Sequence, residues 1–453
     1  MARLLQTVTI ASTLYSLLGV AELKKVVVVG GGWSGCAAAL VAAKAGADVT
    51  LLERTDALLG TGLVGGIMRN NGRWTATEEM FALGAGELFD ACDRISTHQN
   101  INFPDHEHAT LYNVNVIEIE IRRILEEAGV KMVFEARVSG AKMDGKKMVS
   151  VNTKEHGDFE GDVFLDTTGT AGPTGNCTKY GEGCAMCVLR CTSFGGRVSL
   201  AGLAGVPEKM AVDGEGRVGA MSGSCKLSKE SLAPWVLEEL EKNGKVVLPI
   251  PEEKRDTKKL GKKACQQYAG GAFADNAVIL DTGHAKLMTP YMKLDVLRSV
   301  KGLEKARFVD PYAGSFGNSM RYLAMAPHNT KLQVTGVENL FCGGEKAGPL
   351  VGHTEAIITG TLAGYNAVLF ANGQELVELP TTLAVGDAIN LVTDLQDKEL
   401  GWSKKYTFSG SVYFERMKSL GLYVMDKAVI ADKVKAAGLE GIFSRKVTEA
   451  AAV

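Results

Sequence analysis

Val26 to Val29 is an unbroken β-branched run with no polar member, the pattern of a parallel strand covered on both faces. A glycine turn follows, and Ala37 to Ala45 is small and helix-forming. Asp48 to Glu53 is predicted as a second short strand ending in an acid. Val114 to Ala128 carries apolar residues at helical spacing, and Lys131 to Glu135 reads as the strand behind it. Between Val138 and Val163 the alternation shortens. Lys147–Thr153 and Asp162–Asp166 predict strands of a small antiparallel appendage. Leu340 to Phe370 returns to strand, Gly-rich turn and helix.

From Asn176 to about Val300 the strand–helix rhythm is lost, which suggests an insertion. The predicted fold class is therefore α/β, a Rossmann-like nucleotide domain interrupted by a substrate domain and followed by a helical tail. The expected division is 24–175 for the first part of the nucleotide domain, 176–300 for the insert, 301–375 for its second part and 376–453 for the tail. No internal repeat or low-complexity segment is visible.

Composition changes this picture in two ways. The chain has 453 residues with 53 Gly, about 12% against a usual ~7%, which fits backbone that repeatedly approaches a ligand. Its formal charge of −2 gives no global attraction to nucleic acid or anionic membrane. The stretch Met1–Glu22 has an early Arg3, an apolar middle and small residues near Val20, loosely like an export signal. Gln6, Thr7, Thr9, Ser12, Thr13 and Ser16 dilute it, and it lacks the ~18 apolar residues of a membrane span. A retained extension on a cytoplasmic enzyme is expected.

The first chemistry lies in Gly30-Gly31-Gly32-Trp33-Ser34-Gly35. These glycines fill the three positions of G-x-G-x-x-G, follow a predicted strand, open a predicted helix and precede Glu53 by the customary interval. Gly30 permits the tight turn, Gly32 lets backbone reach a pyrophosphate, and Gly35 lets helix and strand pack closely. The helix N-terminus offers N–H groups and partial positive charge to phosphate. Glu53 can accept the ribose hydroxyls.

Three further segments, in order along the chain, resemble the FAD-binding parts of glutathione-reductase-type flavoproteins. Glu53-Arg54 leads into Leu59-Gly60-Thr61-Gly62 and Gly65-Gly66, similar to the loop after the second strand. Asp166-Thr167-Thr168-Gly169 resembles the family's Asp-x-x-Gly turn behind the FAD. Leu340 to Glu345 resembles the strand-to-helix turn at the ribityl and isoalloxazine end. The resemblance implies FAD as cofactor, held by Gly30, Gly32, Trp33, Ser34, Gly35, Glu53, Arg54, Gly60, Thr61, Gly62, Val138, Gly169, Gly344, Glu345 and Gly352. The helix from Gly352 would turn its N-terminus to the flavin and favour the anionic reduced form.

A closer resemblance runs through Gly302-Leu303-Glu304-Lys305-Ala306-Arg307-Phe308 and through Gly344, Gly352, Glu355, Ala356, Gly360, Leu362, Ala363, Gly364, Asn366 and Ala367. Both are similar to the folate/FAD-dependent RNA uracil methyltransferases and related tRNA-modification flavoproteins. The middle of the chain does not match these enzymes.

The insert opens with Cys177, Cys184, Cys187 and Cys191, a C-x6-C-x2-C-x3-C run. Four thiolates suit an iron–sulfur cluster such as [4Fe-4S], while tetrahedral zinc fits the spacing less well. Cys184 and Cys187 form a C-x-x-C near Lys179 and Arg190, the setting of a redox dithiol. Unliganded structural or merely redox-sensitive cysteines are the remaining alternative. Cys36, Cys92, Cys225, Cys265 and Cys342 read as packing residues, with Cys225 and Cys265 the plausible exceptions.

Cys184, Cys187 and His353 are the candidate catalytic residues. Arg321, Tyr322 and His328 are candidates for lining the substrate pocket, with His328 a proton carrier near neutral pH. His98, His106 and His108 suggest an exposed polar loop. Lys254, Arg255, Lys258, Lys259, Lys262 and Lys263, interleaved with acids, read as a solvated face that could still attract RNA.

Together these readings predict an FAD-dependent oxidoreductase that passes electrons between substrate and flavin, with the iron–sulfur cluster or dithiol of the cysteines as the candidate further redox centre. The alternatives are a folate/FAD-dependent RNA-modifying flavoenzyme and a flavin-based redox sensor or electron carrier. A small-molecule substrate or redox partner protein is expected, as are a homo-oligomer and no transmembrane segment. Nucleic acid is not expected.

Overall fold

The computed structural model describes residues 23–169, 198–212, 220–222, 225–256, 268, 270–288, 292–309, 319–321, 323–398 and 402–447. Cys177, Cys184, Cys187 and Cys191, together with Cys265, Tyr322 and the lysines from 258 to 263, lie outside them.

Five parallel strands form the central sheet: β1 (Lys25–Val29), β2 (Asp48–Leu52), β3 (Lys131–Val133), β4 (Val163–Asp166) and β5 (Leu340–Cys342). They lie in the order β5-β4-β1-β2-β3, the α/β architecture expected from the wholly apolar first strand. In β1 Val26 to Val29 are all buried, because the sheet is covered on both faces. One expectation is corrected. Asp162–Asp166, assigned to the antiparallel appendage, is β4 and pairs in parallel with β1, Val28 opposite Leu165. All four of its residues are buried, so the apolar run outweighs its closeness in sequence to the appendage strands. The appendage itself is three-stranded, Val138–Asp144, Lys147–Thr153 and Gly157–Glu160.

Two helices lie together on this sheet, α1 (Trp33–Ala45) and α2 (His353–Ala371). Both are buried nearly all round, which is why neither shows a polar stripe. Their backbones almost touch. A Cβ on Gly360 would stand 2.1 Å from the carbonyl oxygen of Ser34, and one on Gly364 2.5 Å from that of Ala38.

The insert contributes a four-stranded antiparallel sheet in the order Cys225–Leu227, Ala285–Leu287, Asn276–Asp281, Lys245–Pro249. One face packs on the helices Pro234–Asn243 and Leu294–Arg298 through Val236, Leu240 and Leu297. The opposite face shares a core with a second sheet, Ile67–Met68 with the hairpin Ser96–Phe103 and His106–Tyr112. This two-sheet side of the molecule is thus assembled from two separate stretches of chain. His98, His106 and His108, expected in an exposed loop, lie on this hairpin. His106 is buried, held by Asn70 and Asn71 and stacked on Phe103.

Beyond α2, helices Ala384–Leu395, Ser411–Ser419 and Lys427–Ala436 pack back on the nucleotide domain. The buried Glu79 carboxylate accepts the N–H groups of Ala384 and Val385, both at 2.9 Å, and so caps the first of them. Among the described residues no helix is long and apolar enough to cross a membrane.

Candidate functional site

At the carboxyl ends of β1, β2 and β4 the chain leaves an open cleft of about 730 Å³. Its walls include Gly30 and Gly32, Glu53 and Arg54, Gly60 and Thr61, then Val138, Gly169 and Glu345. Those named come from five separate stretches of sequence, gathered because parallel strands bring every strand-end turn to one edge.

The three motif glycines meet different surroundings. Gly30 has φ +101°, and a Cβ there would lie 2.6 Å from the Thr167 carbonyl oxygen. A Cβ on Gly35 would sit 1.8 Å from the Gly30 carbonyl oxygen. Both are fixed by protein packing. Gly32 has φ −67°, allowed to any residue, and nothing lies within 4 Å of its added Cβ. Protein packing therefore does not explain the missing side chain at Gly32. The backbone there is open to a ligand on that side among the described residues.

Glu53 is 7% exposed and held at both oxygens. Oε2 accepts the Gly31 N–H at 2.7 Å, and Oε1 accepts the Thr55 N–H at 2.9 Å and its hydroxyl at 3.0 Å. The carboxylate is thereby aimed before a ligand arrives. Asp166 is fully buried and serves the walls instead. It accepts from Thr168 through Oδ1 and from the Leu200 N–H through Oδ2.

Ser34 lies at the start of α1 with a buried hydroxyl that has no hydrogen-bond partner in the structure. It faces the turn after β5, where a Cβ on Gly343 would come within 2.5 Å of its Oγ. A buried hydroxyl without a partner costs about 1–3 kcal/mol, and a phosphate oxygen would remove that cost. The open side of Gly32, the aimed carboxylate of Glu53 and this hydroxyl together fit a dinucleotide.

Not every expected residue reaches the cleft. Gly352 lies under the buried ion pair of Arg73 and Glu355, whose Nη2 and Oε2 stand 3.1 Å apart. A Cβ there would come within 2.0 Å of both side chains, so Gly352 is explained by packing, not ligand contact. His328, expected in the substrate pocket as a proton carrier, is folded into the core with its Nδ1 2.9 Å from the Ala326 carbonyl. Burial lowers its pKa to about 4, so it stays neutral near pH 7. Cys36, Cys92, Cys225 and Cys342 are buried free thiols. Burial raises the pKa of Cys36, Cys92 and Cys342, which keeps these three protonated and unreactive.

The loop 60–66 runs from the cleft towards the hairpin 96–112 and the sheet of the insert. Its Gly62 carbonyl accepts the Tyr112 hydroxyl at 2.8 Å, and that hydroxyl is 3.2 Å from His353 Nδ1. Trp33 meets Tyr112 edge-on at 5.9 Å and His353 at 6.2 Å. Gly65 lies against the His353 ring, where a Cβ would clash with Cε1. Burial raises the Tyr112 pKa, so the phenol remains a hydrogen-bond donor. Tyr112 and Arg73 carry no local motif and escape sequence reasoning, because only tertiary folding brings them to α2.

Among the described residues no group of three or more His, Cys, Asp or Glu side chains could hold a metal ion. The four-cysteine motif lies outside that set.

Residues 25–172 match the family model for FAD dependent oxidoreductase, and residues 275–375 that for Glucose inhibited division protein A. A methylenetetrahydrofolate–tRNA-(uracil-5-)-methyltransferase of Bacillus pumilus is 30% identical over 136 residues, covering 29% of this chain and 28% of that protein. Its namesake from Microcystis aeruginosa is 35% identical over 106 residues, covering 23% and 22%. The matched stretch is thus under a third of each relative's length. The structure of Aquifex aeolicus GidA in its form II crystal superposes with a TM-score of 0.67 at 16% identity, covering 94% of this chain and 74% of that one. That last likeness concerns the fold.

Proposed function

Because this chain is an FAD-dependent flavoenzyme related to tRNA-modification flavoproteins, we propose that it modifies RNA, acting on a base with flavin held in the cleft between Gly32 and Glu345. The observation that carries this reading is the 30–35% identity to enzymes named for the uracil of tRNA, read beside a fold that parallels GidA along most of its length. Net charge weighs against nucleic acid. Local charge, not the total, decides such binding.

Within this reading Glu53 accepts the ribose hydroxyls, and the first turn of α1 with Ser34 receives the pyrophosphate. Gly32 keeps that approach open. Bound FAD supplies two-electron redox chemistry. Tyr112 and His353 hold a proton-bearing pair beside the loop 60–66, at the end away from Glu53. The hairpin 96–112, which carries Tyr112, packs against the sheet of the insert on that side.

The test is binding of unmodified tRNA to the FAD-loaded protein across a salt series. Affinity should fall with salt at about 0.9 log units per log unit for each phosphate neutralised. Replacing Lys258, Lys259, Lys262 and Lys263 by Ala should lower that slope. Absence of tRNA binding at low salt overturns the reading.

A second reading rests on position along the chain. Gly169 lines the cleft, and the segment that follows it carries Cys177, Cys184, Cys187 and Cys191. Under it these cysteines bind a [4Fe-4S] cluster, or Cys184 and Cys187 form a dithiol, that exchanges electrons with the flavin. Iron and acid-labile sulfide in anaerobically purified protein, lost on Cys184→Ser, would support the cluster. Metal-free protein taking up four electrons per flavin would support the dithiol.

A further inference from the structure

The strand order gives the cleft a direction. Glu53 follows β2, Gly30 and Gly32 follow β1, Gly169 lies beyond β4 and Glu345 beyond β5, and these strands run β2-β1-β4-β5 across the sheet. With the adenosine ribose on Glu53 and the pyrophosphate on the first turn of α1, the ring half of FAD lies towards β5. A charge fixed behind the turn after β5 therefore acts on the ring more than on the adenosine.

That turn holds a buried cation. Lys346, the residue after Glu345, is fully buried, and its Nζ stands 2.7 Å from Oε1 of Glu208, whose side chain is 5% exposed. Oε2 of the same carboxylate is buried and has no hydrogen-bond partner. Stability alone does not favour a pair this deep. Desolvating both ions offsets their attraction, and apolar residues of similar volume serve as well or better. The unpartnered carboxylate oxygen adds the penalty of a buried acceptor.

The pair joins two distant parts of the chain at the cleft. Lys346 closes the turn Gly344–Lys346, and its carbonyl accepts the Ala326 N–H at 3.1 Å. Glu208 precedes the short strand Lys209–Met210, which pairs with Ala324–Met325. Ten residues upstream of Glu208 the same stretch reaches the cleft wall. Val198 lines it and accepts the Thr168 hydroxyl at 2.8 Å, and the Leu200 N–H donates to Asp166 Oδ2 at 2.8 Å. The two charges do not cancel at the end of β5. Burial and then Asp166 raise the pKa of the Cys342 thiol there, while Lys346 opposes them and outweighs the smaller push of Glu208.

We propose that Lys346, with Glu208 as its counter-ion, sets the reduction potential of the bound flavin from behind the turn after β5. Lys346 does not line the cleft, so it acts through its field and not by contact. Reduction to the anionic form places negative charge on the flavin, which a cation in a low-dielectric setting stabilises and an anion opposes. This role requires FAD in the cleft and is independent of what the flavin acts on.

The experiment measures the midpoint potential of the FAD-loaded protein against dyes of known potential. It compares wild type with Glu208→Gln, Lys346→Met and the double variant Glu208→Gln/Lys346→Met. Glu208→Gln is set against wild type at about pH 6 and Lys346→Met at about pH 8.5, so that the remaining partner keeps its charge. Glu208→Gln should move the balance about tenfold towards reduced flavin and Lys346→Met about tenfold towards oxidised flavin, as a unit charge about 10 Å away does at an effective dielectric of about 20. The double variant should return to within about threefold of wild type and melt at or above the wild-type temperature. Loss of packing alone does not produce opposite shifts that cancel. Shifts of one sign in both single variants, or unchanged potentials with FAD fully bound, overturn the proposal. If Lys346→Met does not fold, the Glu208→Gln shift and its disappearance in the double variant decide in the same way. Wild type that binds no FAD overturns the cofactor reading itself, and the proposal with it.

Discussion

The two sides of the cleft are built on opposite terms. On the nucleotide side, backbone and small residues do the shaping: Gly30 and Gly35 are jammed against protein, and Gly32 is left open. The Glu53 carboxylate there is held in place by an N–H group at each oxygen. On the side of the insert two lysines face each other across a strand pair with carbonyl oxygens as their acceptors. The first wall satisfies most of its own polar groups, with Trp33 Nε1 and the Ser34 hydroxyl the exceptions at the glycine turn among the described residues. The second sets two cations side by side on one face of a sheet, a placement fixed by strand register and not by any local motif.

The comparison is broken most severely at the junction of the walls. Arg73 and Glu355 are buried almost completely and lie above Gly352 at the start of α2. Arg73→Met would leave Glu355 uncompensated, and loss of about 3–5 kcal/mol in urea unfolding is expected. A loss below about 1 kcal/mol would show that Thr407 and the Phe408 N–H, which also bond Glu355, suffice for it.

A second prediction concerns pH. Burial raises the Glu79 pKa to about 7 against the ordinary 4.5, even with two N–H donors opposing it. The native state then holds this proton more tightly than the unfolded chain. Its contribution to stability is present below about pH 4.5 and is lost as pH rises through 7. Glu79→Gln should flatten that slope, by up to about 3 kcal/mol across the window. An unchanged slope would place the titration elsewhere.

The nucleotide wall is sharpened by Glu53→Ala. It removes the ribose acceptor and frees the Gly31 and Thr55 donors, so FAD affinity should drop about ten- to hundredfold, or roughly 1.4–2.7 kcal/mol. Equilibrium dialysis would measure it. Unchanged affinity would remove Glu53 from the site.

The nucleotide wall was legible in the sequence because its determinants are local. Each strand end carries its own turn chemistry, and the resemblance tied Gly30 to Gly169 and Glu345 before any geometry was known. The wall of the insert was not. Lys226 and Lys286 become neighbours only through sheet register, and Tyr112 reaches His353 only after the hairpin folds over the loop. His106 and His328 misled for the same reason. A histidine beside a proline or glycine resembles a loop residue until its buried contacts are formed. Gly352 fits the family pattern, yet it makes room for Arg73.

Gly32→Val tests the central claim most directly, because it fills space the protein leaves empty. Flavin content and thermal unfolding of the purified variant should be measured side by side. The account predicts cooperative unfolding at the temperature of the flavin-free wild type, with flavin binding weakened by at least about a hundredfold, roughly 2.7 kcal/mol. Full retention of FAD by well-folded Gly32→Val protein would contradict it.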